Sequence, residues 1–327
     1  MTIDRRKIGR LAGLTLAALA AIAQQSRAND VFPSRPIKLV VPVAAGGAPD
    51  VVARIVADKL GSKLGQPVVI ENRPGAGERI GAEFVAKAGP DGYTLLVAPP
   101  GSLVISPLLF SRLAYDPKAF VPVTVLTAGH LVLVTSPTLK IASLADLVVR
   151  AKANPGKLTY TSPGTGTPPH LTGELLAAAA QIQMTHVAYK GLAPALTDLL
   201  AGHVDVMFDN LGNSIAHIRD GRLKALGIAN DARISELPDV PSIAATYPGV
   251  HSTSWFGVVA PPNTPTEIAD RLSATIAEVL HTPEVVAKLR TMSFTPVGNS
   301  PIRMAEFLAG ESERWRAVIA AIGIKPE

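Results

Sequence analysis

The stretch Pro42–Asp50, PVAAGGAPD, lies between the apolar run IKLVV (37–41) and the segment VVARIVADKL (51–60). An apolar run, a glycine pair and an amphipathic segment in that order read as strand, turn and helix. Amides at the start of a helix attract small anions, and glycine lets the backbone approach them. The loop contains no lysine, serine, histidine or cysteine. It therefore offers main-chain N–H groups and nothing reactive. The alternative reading of Gly46 and Gly47 is a tight, closely packed turn without a ligand. Pro49 suits the first turn of a helix, and Asp50 reads as a cap or dipole partner.

Outward from this loop, strands and helices alternate. The pattern predicts strands at 37–41, 67–72 and 93–98, with helices at 49–61 and 80–88. A second set begins near LVLVTS (131–136), with strands at 157–162, 185–190, 204–209 and 223–229. Its helices are predicted at 143–154, 168–181, 193–202 and from 210 to about Asp220. After WFGVVAP (255–261) come helices at 265–281, 284–292 and 300–321 and a strand at 294–297. Alternation of this kind predicts an α/β fold with mostly parallel sheets flanked by helices. We divide the chain into a signal segment (1–28), one lobe of 29–130 plus 254–327, and a second lobe of 131–253. The cleft lies between the lobes, and two chain crossings form the hinge.

The signal segment rests on MTIDRRKIGR, the 13-residue apolar run LAGLTLAALAAIA, and SRA ending at Ala28. These are a basic n-region, an h-region and a small-residue cleavage site, which predicts export to the periplasm and cleavage after Ala28. Thirteen helical residues span only ~20 Å, short of the ~30 Å hydrocarbon core. Residues 1–28 carry five cationic side chains against Asp4, so the formal charge of +5 falls to about +1 once they are removed. No basic stripe remains for nucleic acid. The chain has no cysteine, which excludes disulfides, thiolate catalysis and cysteine-based metal sites. The seven histidines, at 130, 170, 186, 203, 217, 251 and 281, include no i,i+4 pair, and no catalytic metal is expected.

Ligands of open α/β sheets bind beyond the carboxyl ends of the strands. Those ends read PVAAGGAP, NRPGAGERIG, APPGS, SPGTGTPPH, YKGLAP and FDNLGNS. Two such loops facing each other make an anion clamp from backbone alone. In SPGTGTPPH, Gly164 and Gly166 let amides turn inward, Ser162 and Thr165 offer hydroxyls, and Thr167 precedes Pro168 as a helix cap. His170 either meets a ligand or packs. Asp209 ends a strand and binds either the ligand or hinge amides. Lys190 pairs with a carboxylate or is solvated. GAGERIG (75–81) matches a dinucleotide fingerprint only loosely, and the P-loop and nucleophile-elbow patterns are absent. No nucleophile–base pair is evident, and no cofactor is expected.

VPVAAGGAPDVVAR, ENRPGAGERIGAEFVAKAGPDGYTLL, YTSPGTGTPPHLTGELL and HVAYKGLAPALTDLLAGHVDVMFD together resemble the Bug-type extracytoplasmic receptors of tripartite tricarboxylate transporters. The likeness runs in order over the whole chain after the signal segment. It implies a two-lobed type II periplasmic binding-protein fold that closes on a small organic carboxylate, held partly through ordered waters. It places Ala44, Ala45, Gly46 and Gly47 on one side of the ligand and Ser162, Gly164, Thr165, Gly166 and Thr167 on the other. Ser102 and Asp209 fall where the rest of the ligand is contacted. The implied role is a monomeric solute receptor that delivers its ligand to membrane permease subunits and catalyses nothing. The alternatives are an enzyme using the same cleft and a receptor that senses the ligand for a signalling partner. Three positions depart from the pattern. Val43 replaces an aromatic, Glu78 a glycine and Ala188 a proline, and Glu78 facing the cleft disfavours a polyanion.

Overall fold

The computed structural model describes residues 32–324. The predicted signal segment and its cleavage site lie outside the described residues.

The first sheet begins with β1 (Ile37–Val41), α1 (Ala48–Leu64), β2 (Val68–Asn72), α2 (Arg79–Ala86) and β3 (Thr94–Ala98). β1 pairs in parallel with both β2 and β3, as strands joined through helices must. After β3 the chain makes a wide helical turn at Gly101–Ile105, runs into α3 (Ser106–Leu109), and enters a 15-residue strand, β4 (Val121–Thr135). The second sheet follows as α4 (Leu144–Ala153), β5 (Thr159–Ser162), α5 (Pro168–Ala180), β6 (Thr185–Ala188), α6 (Leu192–Ala201), β7 (Val206–Asn210), α7 (Leu211–Arg219) and β8 (Lys224–Ile228). The chain returns through β9 (Thr253–Ala260) and ends in α8 (Thr266–Leu280), α9 (Pro283–Thr291), β10 (Phe294–Pro296) and α10 (Pro301–Ile322).

β4 joins the two sheets. Its first ten residues pair antiparallel with β9, from Val121 opposite Ala260 to His130 opposite Thr253. Its last five pair with β7, from Leu131 opposite Asn210 to Thr135 opposite Val206, and β8 takes the other edge. The strand order is β2-β1-β3-β9-β4-β7-β5-β6. The outer strands of each sheet are therefore parallel, while the strands that cross between the sheets are antiparallel. The expected strand at 131–136 is the tail of β4, which starts ten residues earlier.

Local chemistry sets these elements. α1 has Pro49 in its first turn, buries Val52, Ala53, Val56, Ala57 and Leu60 along one face, and stops at Gly65 in the left-handed conformation. At α4 the Asp146 amide donates to Ser143 Oγ at 3.1 Å, and the Asp146 carboxylate accepts the Ala142 amide, also at 3.1 Å. Aspartate thus reaches back much as glutamate does in a capping box. Each sheet is covered on both faces. Ile37, Leu39 and Val41 of β1 pack towards α1 and α8, while Val40 packs towards α2 and α10. In the second sheet Val206 and Phe208 of β7 face α4 and α5, and Met207 faces α6 and α7. No helix among the described residues is long and apolar enough to cross a membrane.

The crossing strand β9 is anchored by Trp255, whose buried indole N–H donates to Glu311 of α10 at 2.7 Å. Arg314 in turn donates to both oxygens of Glu311 at 2.7 and 2.8 Å. The substitution Glu311→Ala strands a buried donor. It should lower unfolding free energy by about 1–3 kcal/mol in urea titration.

Candidate functional site

The PVAAGGAPD loop is organised by one buried carboxylate. Asp50 Oδ2 accepts the Gly46 amide and Arg54 Nε, each at 2.9 Å, and Oδ1 accepts Asn72 Nδ2 at 2.8 Å. Asn72 also donates to the Val43 carbonyl at 3.1 Å, which ties the loop to the end of β2. Burial alone would raise the Asp50 pKa, but the bonds from Arg54, Gly46 and Asn72 outweigh it and hold the carboxyl below its ordinary range. The Gly47 amide bonds the Ala44 carbonyl at 3.3 Å. Among the described residues, the Ala44 and Ala45 amides have no acceptor.

The facing loop, Ser162–Thr167, is held from behind by an aromatic stack. His170 and His186 lie 4.1 Å apart by ring centroid, and Tyr160 stacks on both. His170 Nδ1 accepts the Gly166 amide at 3.2 Å, so its proton sits on Nε2, towards Glu174. Burial pushes both histidines down to about 4, so they are neutral at pH 7. Ser162 Oγ lies 2.8 Å from His186 Nε2, a serine–histidine pair that sequence reading missed. The serine is fully buried and donates its proton to the Gly164 carbonyl at 3.1 Å. It is therefore arranged as a loop brace and not as a nucleophile. Thr167 occupies the cap position of α5, but its hydroxyl donates to the Gly164 carbonyl at 2.7 Å instead of capping the helix. Among the described residues the Thr165 amide is left without a partner.

The two loops face each other across a cavity of about 330 Å³, within the range of small-ligand sites. The approach is close. A β-carbon on Gly77 would sit 2.5 Å from the Thr165 carbonyl oxygen, and one on Gly191 would sit 3.4 Å from the Ala44 β-carbon. The starts of α1, α2, α5, α6 and α7 all border the cavity, through Ala48, Arg79, Pro168, Leu192 and Asn213. Each helix start carries roughly half a positive charge. Arg79, stacked 3.4 Å over the Phe110 ring, and Lys190 add two full charges. The single acidic residue on the wall is Glu78. Its carboxyl accepts the amides of Ser102, at 3.1 Å, and of Gly101, and burial pushes it up to about 8. At neutral pH the cavity is thus positive and holds no charged carboxylate of its own.

Of the residues expected at the site, Ala44, Gly47, Gly164, Thr165 and Thr167 border the cavity. Ala45 and Gly46 lie beside it on the same loop, with the Gly46 amide taken by Asp50. Ser162 and Gly166 sit behind the facing loop, bonded to the two histidines. Ser102 is fully buried off the wall, its hydroxyl on the Pro99 carbonyl and its carbonyl on Tyr115. Asp209 is also fully buried and accepts Asn213 Nδ2 at 2.9 Å and Ser214 Oγ at 2.7 Å. Burial pushes it up to about 6, and it spends its acceptors on the start of α7. Arg79 was missed, although it directly follows a glycine-rich strand end at the first position of a helix. Val43, Glu78 and Ala188, the three departures, all border the cavity.

The fold and the cavity define a two-lobed solute-binding protein. The chain belongs to the tripartite tricarboxylate transporter receptor family, whose model (TctC, "Tripartite tricarboxylate transporter family receptor") matches residues 52–324. BugT of Bordetella pertussis is 38% identical over 311 residues, covering 94% of this chain and 95% of its own. Among solved structures, R. palustris Rpa4515 with adipate has a TM-score of 0.87 at 37% identity and covers 90% of this chain and 100% of its own. The periplasmic binding protein BugD has a TM-score of 0.86 at 30% identity, with coverage of 90% and 100%.

Two outcomes follow from this geometry. Gly77→Val should hold the loops apart, because φ is +60° and Thr165 leaves no room for a side chain. Ligand affinity should fall about tenfold or more by calorimetry, as closure becomes costlier. Unchanged affinity would show that the contact is not needed. The raised Glu78 pKa makes its share of stability complete below about 4.5 and lost as pH rises through about 8. Glu78→Gln removes that dependence. The stability of the variant relative to the parent, followed by thermal unfolding, should therefore climb between pH 5 and 8.

Proposed function

We propose that this protein is a periplasmic receptor that captures a small organic carboxylate and delivers it to the membrane permease subunits of a tripartite tricarboxylate-type transporter. The observation that carries the reading is the convergence of five helix starts, Arg79 and Lys190 on one interlobe cavity. Such a field favours an anion and contains no group that would react with it. Adipate bound to Rpa4515, a protein 37% identical to this chain, supports a carboxylate ligand. We assign residues 29–130 plus 254–327 to one lobe and 131–253 to the other, a division supported by the crossing strands β4 and β9. Ala44, Ala45 and Thr165, with free amides, are assigned to the carboxylate head group. The receptor acts as a monomer, without cofactor or catalysis, after removal of residues 1–28. A ligand that touches both lobes only when they are closed favours closure by its differential affinity.

The experiment is a thermal-shift panel of mono-, di- and tricarboxylates, amino acids and aromatic acids, with product analysis of the same mixtures. A cognate acid at ~100 times its Kd should add about 2.7 kcal/mol of stability and be recovered unchanged. Turnover of any member in the cleft would instead support an enzyme. Co-purification with a signalling protein in place of permease subunits would support a sensor.

A further inference from the structure

The polar groups expected to read the far end of the ligand are taken up by the protein itself. Ser102 spends its hydroxyl on the Pro99 carbonyl, Asp209 is enclosed by Asn213 and Ser214, and the Gly101 and Ser102 amides are held by Glu78. The fit is close, since a β-carbon on Gly101 would lie 2.3 Å from Glu78 Oε2. Besides Glu78, the lining includes Pro42, Pro74, Pro99, Pro100, Phe110 and Phe256. Proline has no N–H to donate, so these residues present carbon to a ligand. The lining also carries Arg79, Thr165, Asn210 and Lys190, with the Arg79 guanidinium stacked on the Phe110 ring. The cavity therefore combines two cations and a few polar groups, for a head group, with a lining of proline and phenyl rings, for a body. An ammonium group on the ligand finds no free carboxylate, because Glu78 already holds two amides.

We propose that the cleft selects organic acids with a hydrocarbon body, and that Glu78 is the specificity-determining residue, filling an amide pair that would otherwise hold a polar group of the ligand. This rests on the receptor reading above and names its ligand class. A hydroxyl buried against proline and phenyl rings loses its water without gaining a partner, which weakens binding by about tenfold or more. Replacing Glu78 by glycine reopens the Gly101 and Ser102 amides. The backbone at 78 has φ +77°, which glycine adopts readily, so the loop keeps its course.

The test is calorimetric titration of the protein and its Glu78→Gly variant with acids matched in carbon number. Hexanoate is paired with gluconate and benzoate with quinate, and adipate adds a second carboxylate. The parent should bind the hydrocarbon acid of a pair at least tenfold more tightly. The variant should gain at least tenfold in adipate affinity relative to hexanoate. Equal or tighter binding of gluconate and quinate overturns the inference, as does an unchanged adipate-to-hexanoate ratio in the variant. Both of those results leave the receptor reading standing, since an acid is still bound. Failure of both proteins to bind any acid of this series overturns the inference, and failure across the wider panel as well overturns the receptor reading.

Discussion

The site depends on one buried carboxylate. Asp50 sits in the first turn of α1 and is 2% exposed, yet it stays ionised because it accepts from Gly46, Arg54 and Asn72 at once. A buried charge persists only when its hydrogen bonds replace the water it has lost. Through Gly46 it curls the loop, and through Asn72 it fastens the loop to β2. The amides that remain without a partner, Ala44 and Ala45, are left over once this knot is tied. Asp50 is therefore a shaping residue. It never needs to touch the ligand, and its negative charge is neutralised before the ligand arrives.

The second constraint is mechanical. β4 runs through both sheets, and β9 returns beside its first ten residues, so the sheets that carry the two loops are joined by one continuous strand. Gly77, in the loop after β2, meets Thr165 so closely that a side chain would push it away, and Gly191, after β6, comes to van der Waals distance of Ala44. Behind the facing loop, neutral His170 accepts the Gly166 amide on Nδ1, a bond that protonation there would break, and His186 Nε2 lies beside the Ser162 hydroxyl. Both faces of the clamp are thus held by groups outside the cavity.

Much of this was legible in the amino-acid sequence. The apolar runs and the glycine-rich strand ends marked nearly every element and the loops that border the cavity. The start of β4 was not legible, because Pro122 and Gly129 interrupt the run from Val121 to His130 and mimic a loop. The loops could be found, but not the direction of each amide. Those of Gly46, Gly164 and Gly166 are claimed by Asp50, Ser162 and His170, neighbours two to four residues away in the chain. Asp209 ends a strand, and the family resemblance placed both it and Ser102 at the far end of the ligand. Asn213 and Ser214, one turn further on, pull Asp209 inward, and the Pro99 carbonyl takes the Ser102 hydroxyl. Local competition of this kind leaves no trace in hydrophobic periodicity. Glu78 shows the converse. It was visible as a departure, but its meaning required the two amides it covers.

The most direct measurement is a crystal structure of the protein with a bound carboxylate. The account predicts a head group within hydrogen-bonding distance, directly or through one water, of the Ala44–Ala45 amides on one side and of Thr165 on the other. A carboxylate held by one lobe alone, or seated outside the cavity, would contradict it.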